Sequence, residues 1–237
     1  VAGMLLLVLA LTACAGETTR PLTTAESELL ALTRFRNFDA GVRSVSFAVT
    51  DAGTRYEIDA WVDFQAGAGY GTVQLPDAEE SALLAWTSQG VATAATAPTG
   101  PAPLPPPTQG WTSSELLPGQ SRLHAVLAVL LSLGSDRPDN PVLLAQTDAR
   151  WLREDSVAGT AVTVFRGPSS DAPAGAGSTT GTPAPSGPDE SGAAEVRYWV
   201  ADDGVLHRLE VSLGGDQDAV VIDLDDADVT FDLSQLQ

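Results

Sequence analysis

Two runs on either side of Asp51-Ala52-Gly53-Thr54 place an apolar residue at every second position. Val45, Phe47 and Val49 alternate with Ser44, Ser46 and Ala48. Tyr56, Ile58, Ala60, Val62 and Phe64 alternate with Arg55, Glu57, Asp59, Trp61 and Asp63. A period of two puts all the apolar side chains on one face of an extended chain and scatters them around a helix. The pattern therefore demands a half-buried antiparallel hairpin, with Asp51 to Thr54 as its turn.

Further strands are read at Tyr70 to Leu75, Leu83 to Thr87 and, after Ser88-Gln89-Gly90, from Val91 onward. A second hairpin, Ala149 to Glu154 with Thr160 to Arg166, closes around Ser156-Val157-Ala158-Gly159. A third joins Val196 to Val200 and Leu206 to Leu213 across Asp203-Gly204, a strong tight-turn signal. Val220 to Leu224 and Val229 to Leu233 finish the chain as one bent strand or two. Helices are expected from Ala25 to Arg36, at Ser121 to Gly134 and, shorter, at Asn140 to Gln146. In the first, Thr24 is the expected N-cap and Leu29, Leu32 and Phe35 or Arg36 form an apolar stripe. The second is apolar almost all round, so it must be enclosed or face another apolar surface. About ten strands and two or three helices make an α+β chain. The Pro-rich stretch 97–110 can form neither helix nor central strand. The Gly/Ser/Pro-rich stretch 167–194 has too little apolar surface to order itself and reads as a disordered insertion in a single domain spanning 25–237.

Charge narrows the function classes. Acidic residues outnumber basic ones 31 to 12, for a net charge of −19. Such a surface repels nucleic acid and anionic headgroups at long range, which excludes a nucleic-acid partner and attachment to membranes through a basic patch. All the basic residues are Arg, which with heavy Ala, Gly and Pro usage reflects a GC-rich genome. The one cysteine, Cys14, removes disulfides and thiolate metal sites from consideration.

Cys14 closes the run Met4-Leu5-Leu6-Leu7-Val8-Leu9-Ala10-Leu11-Thr12-Ala13. The run is shorter than the about 20 residues of a spanning helix and has the length of a signal-peptide core. Leu11-Thr12-Ala13-Cys14 resembles a bacterial lipobox. The resemblance implies that 1–13 is a lipoprotein signal peptide, that Cys14 carries lipid and becomes the mature N-terminus, and that 14–24 is a tether. Val1-Ala2-Gly3 carries no basic residue, which points to an upstream start or an alternative start codon written as valine. The expected location is the outer face of the bacterial cytoplasmic membrane, held by acyl chains.

Three further segments carry a family resemblance: Arg34 to Gly41, Asp148 to Leu152, and Tyr198-Trp199-Val200-Ala201-Asp202-Asp203-Gly204-Val205-Leu206-His207-Arg208. With the lipobox and the apolar mid-chain helix, they resemble the LolA-like lipoprotein superfamily, closest to the actinobacterial LppX/LprG-type lipoproteins. The resemblance implies a strongly curved antiparallel sheet, an open unclosed β-barrel, with helices on its concave side. In relatives that concavity takes acyl chains. Val45, Phe47, Ile58, Val62, Trp86, Leu123, Leu127 and Leu130 are accordingly the candidate lining of a ligand cavity. Trp61 and Trp199 are read either as cavity lining or as packing on the outer face.

Signals for chemistry are weak. The aspartates from Asp216 to Asp232 suggest Ca²⁺, but counting from Asp223 the EF-hand's Gly and Glu positions hold Asp228 and Ser234. His124 and His207 lie far apart, with His207 expected on the face of Leu209 and Val211. No Gly-x-Ser-x-Gly elbow presents a nucleophile. No catalytic residue, metal or cofactor is expected. The expected function is binding of a hydrophobic ligand by a monomer. The alternative is a protein-interaction module regulating a membrane partner such as an anti-sigma factor or sensor kinase.

Overall fold

A computed structural model describes residues 19–74, 81–94, 100–169, 195–214 and 218–233. The expectations for the signal peptide, Cys14 and residues 170–194 fall outside these residues. The chain begins with β1 (Arg20–Pro21), α1 (Thr24–Ala40), β2 (Val42–Asp51), β3 (Thr54–Asp63) and β4 (Ala68–Gln74). β5 (Ala82–Thr87), β6 (Gly90–Ala94), β7 (Trp111–Glu115), α2 (Arg122–Ser132) and α3 (Pro141–Leu144) follow. β8 (Arg150–Val157), β9 (Thr160–Arg166), β10 (Glu195–Val200), β11 (Leu206–Ser212) and β12 (Val220–Asp226) complete it. The strands form one antiparallel sheet in the order β1-β8-β9-β10-β11-β12-β2-β3-β4-β5-β6-β7. Its two edge strands do not pair with each other, so the sheet is open.

The central hairpin obeys its period. Val45 faces Ala60 and Phe47 faces Ile58 across β2 and β3, all four buried, while Ser46 faces Asp59 on the other side. Its two-residue loop has positive φ at both Ala52 (47°) and Gly53 (83°), the arrangement whose twist matches that of the strands. The β8–β9 hairpin repeats the device with Ala158 and Gly159.

Helices α1 and α2 cover one face of the sheet. α1 is capped by Thr23, not Thr24: its hydroxyl accepts from the Glu26 amide and the Glu26 carboxylate accepts from the Thr23 amide. The helix runs past Arg36 to Ala40 and ends at Gly41, so no basic residue occupies its last turn. Its buried face is Ser27, Leu30, Ala31, Thr33 and Asn37. Of the expected stripe of Leu29, Leu32 and Phe35 or Arg36, Leu29 packs on the core, while Leu32 and Arg36 lie over the β10–β11 turn, where Gly204 brings the chain against them. α2 buries Val126, Leu127 and Leu130, followed by Leu133, among the inward residues of β2, β3, β11 and β12. Each such side chain contributes about 1.5–3 kcal/mol.

Loops cover part of the opposite face. Tyr70 sits at the centre of one patch, ringed by Trp61, Trp111 and Phe231 at 5.8–6.3 Å, with its hydroxyl donating to the Pro103 carbonyl at 2.8 Å. Burial pushes the Tyr70 pKa up to about 12. The described part of the Pro-rich stretch, 100–110, is thus a cover over this patch. Trp199 anchors a second patch with Leu152, Val162 and Val164, its indole N–H donating to Asp155. Trp61 and Trp199 both lie on this face, opposite the helices.

Several sequence expectations need correction. Residues 227–233 form no strand; Phe231 and Leu233 pack on the Tyr70 patch instead. β7 escapes a periodicity reading because Trp-Thr-Ser-Ser-Glu is an exposed edge with no apolar alternation. Residues 19–24 are docked rather than free. Arg20 bonds both Glu26 oxygens at 2.6 and 2.7 Å and lies over the Trp151 ring, and Leu22 packs on the core. A bulge in the β10–β11 pairing places Leu206, not His207, with Leu209 and Val211 in the core.

Leu127 has no exposed surface, and a charge placed there would have neither water nor partner. Leu127→Arg is therefore expected to abolish cooperative unfolding in circular-dichroism melts. A folded variant with a near-normal melting temperature would show that water reaches the space beneath α2.

Candidate functional site

The eight residues expected to line a cavity come together in the apolar cluster on the helix-covered face. Val45, Phe47, Ile58, Val62, Trp86, Leu127 and Leu130 are buried there and Leu123 is half-buried beside them. They fill space against one another. Trp86 needs a glycine opposite: a Cβ on Gly69 would lie 2.1 Å from its ring. Trp86 alone of the eight also borders a recess of about 260 Å³, shared with Val91, Ser113, Ser114 and Leu233. Its indole N–H is buried without an acceptor.

A larger cleft of about 560 Å³ opens where α1, the end of α2, α3 and β10 meet. Its volume falls within the about 300–1,000 Å³ of small-molecule sites, and the recess at Trp86 falls below it. Leu30, Leu133, Leu143, Leu144, Pro168 and Tyr198 supply apolar lining, and Thr33, Arg34, Ser132, Asp139, Asn140 and Thr147 supply polar groups. The chain after α2 is lashed onto α1 to shape it. The Asp139 amide donates to the Ala31 carbonyl and the Ser135 amide to the Arg34 carbonyl. The Arg34 guanidinium donates to Asp139 at 3.0 Å and to the Ser132 carbonyl at 2.9 Å. α3 is fixed by Asn140, whose side chain accepts from the amides of Val142 and Leu143. It leaves Val142 and Leu143 64% and 61% exposed.

Tyr198 forms the far wall. A Cβ on Gly167 would lie 2.7 Å from its ring, so glycine there lets the ring sit against the chain. Ser169 then anchors to the Asp148 carboxylate by both its amide and its hydroxyl. Residues 167–169, expected inside a disordered stretch, are therefore part of the cleft's frame. Burial pushes the Tyr198 pKa up, with Arg34 opposing and Asp139 adding to the rise. Its hydroxyl stays a donor at neutral pH.

Asp51, Ser121 and His124 also meet, but not as a nucleophilic site. The Ser121 hydroxyl donates to Asp51 at 2.5 Å, not to the imidazole, and accepts from the His124 amide. The His124 Nδ1 accepts from the Leu117 amide at 3.0 Å. The group caps α2 and ties it to the β2–β3 turn. Burial opposes ionisation of Asp51, but the Ser121 hydroxyl and the amides of Arg122 and Leu123 outweigh it and hold its pKa below the usual range. Among the described residues no group of three or more His, Cys, Asp or Glu is placed to hold a metal. Asp223 is engaged with Arg208 at 2.6 Å. No described helix is long and apolar enough to cross a membrane.

No protein-family model matches the chain, and no curated protein matches it. Among solved structures it is similar to an uncharacterized conserved protein from Thermus thermophilus. The two share 12% identity over 86% of this chain and 88% of that one, at a TM-score of 0.40. A likeness at that level fixes neither fold nor function.

Burial pushes the His124 pKa down, partly offset by Asp51. The unfolded chain then binds the proton more readily, so stability falls as pH drops below the unfolded value of about 6.5. Melting temperatures measured between pH 7.5 and 5 should decline in the wild type and decline less in His124→Asn, which keeps an acceptor for Leu117. Parallel curves would show that His124 plays no part.

Proposed function

We propose that this chain is a LolA-like envelope lipoprotein that binds a hydrophobic ligand, the acyl chain of an envelope lipid, as carrier, chaperone or sensor. It works as a monomer on the outer face of the bacterial cytoplasmic membrane, anchored through acylated Cys14. The open antiparallel sheet with three helices supports the LolA-like reading. One observation carries the ligand: the 560 Å³ cleft with apolar walls beside the exposed Leu143 of α3. Burial of an acyl chain there would contribute about 0.8 kcal/mol per methylene.

The ligand space in this reading is the cleft between α1, α3 and β10, not the space beneath α2, which Val126, Leu127 and Leu130 occupy. That filling also favours a second reading, a protein-interaction module whose contact surface includes exposed Val142 and Leu143 of α3.

Both parts are testable in one set of variants expressed in the native envelope. Cys14→Ser should move the protein from the membrane pellet to the soluble fraction, since a net charge of −19 disfavours contact with anionic headgroups. Leu143→Arg, at an exposed position, should keep its melting temperature but lose at least half of the lipid that native mass spectrometry detects on the wild type. Retention of Cys14→Ser after a high-salt wash would contradict the anchor. Wild-type protein that never carries lipid would favour the interaction module.

A further inference from the structure

Among the described residues, one adjacent pair of large apolar side chains is strongly exposed, Val142 and Leu143 on α3. Leu104, Leu117 and Val221 stand singly and are no more than 41% exposed. Scattered single residues need no explanation. The pair is different, because its exposure is built in. The Asn140 side chain accepts from both amides and fixes the turn that carries them, and Leu144, the next residue, packs on the core while they point away. Two aliphatic side chains held out of the core in this way forgo burial that another surface can supply.

The place of α3 in the fold says what that surface is. The Asp139 amide donates to the Ala31 carbonyl of α1, and Arg150 pairs with Pro21 just ahead of α1. The segment 139–150, with α3 inside it and packed on α1, therefore runs back along α1 from Ala31 to its start, a rise of about 10 Å. β1 lies at the same end, and its Arg20 is six residues from Cys14. Six residues reach about 20–22 Å at full extension, so an acyl anchor on Cys14 holds this end of the domain close to the bilayer. Leu104 and Leu117 instead flank β7, the edge strand at the other end of the sheet order. Local charge permits the approach. The stretches 20–36 and 134–150 carry five arginines and five acidic residues, against 12 and 31 in the whole chain. The surplus of negative charge lies on the rest of the chain, which relieves the repulsion of anionic headgroups at this end.

Resting on the Cys14 anchor proposed above, we propose that Val142 and Leu143 dock α3 onto the outer leaflet of the membrane that holds the anchor, as a second and reversible contact. Two aliphatic side chains alone would hold a protein on a bilayer only weakly. The anchor makes their insertion an intramolecular step at high effective concentration. Docking also orients the cleft. Leu143 lines the cleft as well as facing outward, so with α3 in the interface the cleft's apolar wall is continuous with the acyl region. A lipid chain then passes between bilayer and cleft without crossing water.

Because Cys14 is the one cysteine, the acylated protein has no free thiol, and Val142→Cys and Val221→Cys each provide a single site for an environment-sensitive maleimide dye. Each labelled, full-length protein is reconstituted through its anchor into phosphatidylcholine vesicles, with and without phosphatidylcholine that carries a nitroxide on its acyl chain. The dye at position 142 should shift to the blue on reconstitution and lose most of its emission to the nitroxide lipid. The dye at position 221, on β12, should keep its aqueous spectrum and its emission. An aqueous spectrum at position 142, or equal quenching at the two positions, would overturn the proposal. In the double variant Cys14→Ser, Val142→Cys without vesicles, the dye should stay aqueous at every protein concentration. A blue shift that grows with protein concentration would put a second copy of the chain on α3 and overturn the proposal as well. Reaction of the maleimide with the parent protein would show a free Cys14 thiol and overturn the anchor reading itself, whatever the dye at position 142 reports.

Discussion

Arg43 is fully buried, and the two helices and three strands of the sheet are tied together through it. Its Nη1 donates to Asn37 Oδ1 in the last turns of α1 and to the Leu206 carbonyl of β11; its Nη2 donates to the Leu224 carbonyl of β12. Asn37 in turn donates to the Leu133 carbonyl at the end of α2. Burial pushes the Arg43 pKa down, opposed by Asp226, Asp225 and Asp203, yet a guanidinium remains charged. Each buried acceptor left without its donor would cost about 1–3 kcal/mol, so α1 and α2 can dock only where this set closes. Asp226, 3.8 Å from Nε, adds an exposed counter-charge at the rim.

That docking decides where a ligand can go. With α2 held down at Leu133 and α1 at Asn37, the side chains of Val126, Leu127 and Leu130 complete the core over β2 and β3. The space left over lies on the other flank of α1, where the chain from Ser135 to Asp139 bridges α1 and α3 crosses near Tyr198. The cleft is a consequence of where the helices are pinned. Its floor is formed by buried residues of α1, Leu30 and Thr33 among them.

The hairpins were legible in the sequence because period-two alternation and tight turns are local signals: the β2–β3, β8–β9 and β10–β11 pairs follow from them. The short helix α3 was legible from Asn140-Pro141. β7 was not, because an edge strand exposed on both sides needs no apolar face. Residues 229–233 look like a strand by composition, but Phe231 and Leu233 find burial on Tyr70 without pairing. The cleft was illegible for a different reason. Thr33, Asp139, Leu143 and Tyr198 come from four separate segments, and only the pinning of α1 brings them together. The apolar character of Pro141 to Leu144 on an exposed helix was the one sequence signal that pointed there. The eight residues expected to line a cavity lie together in the apolar cluster on the helix-covered face, where they pack against one another.

Hydrogen–deuterium exchange with and without 1-lauroylglycerol tests most directly whether the ligand space lies beside α1 and not beneath α2. Bound ligand should slow exchange in the amides of Ala31 to Asn37, in Val142 to Thr147 and around Tyr198, and leave Val126 to Leu130 and the β2–β3 hairpin unchanged. Slowing concentrated in α2 and the β2–β3 hairpin, with none at α3, would contradict the account.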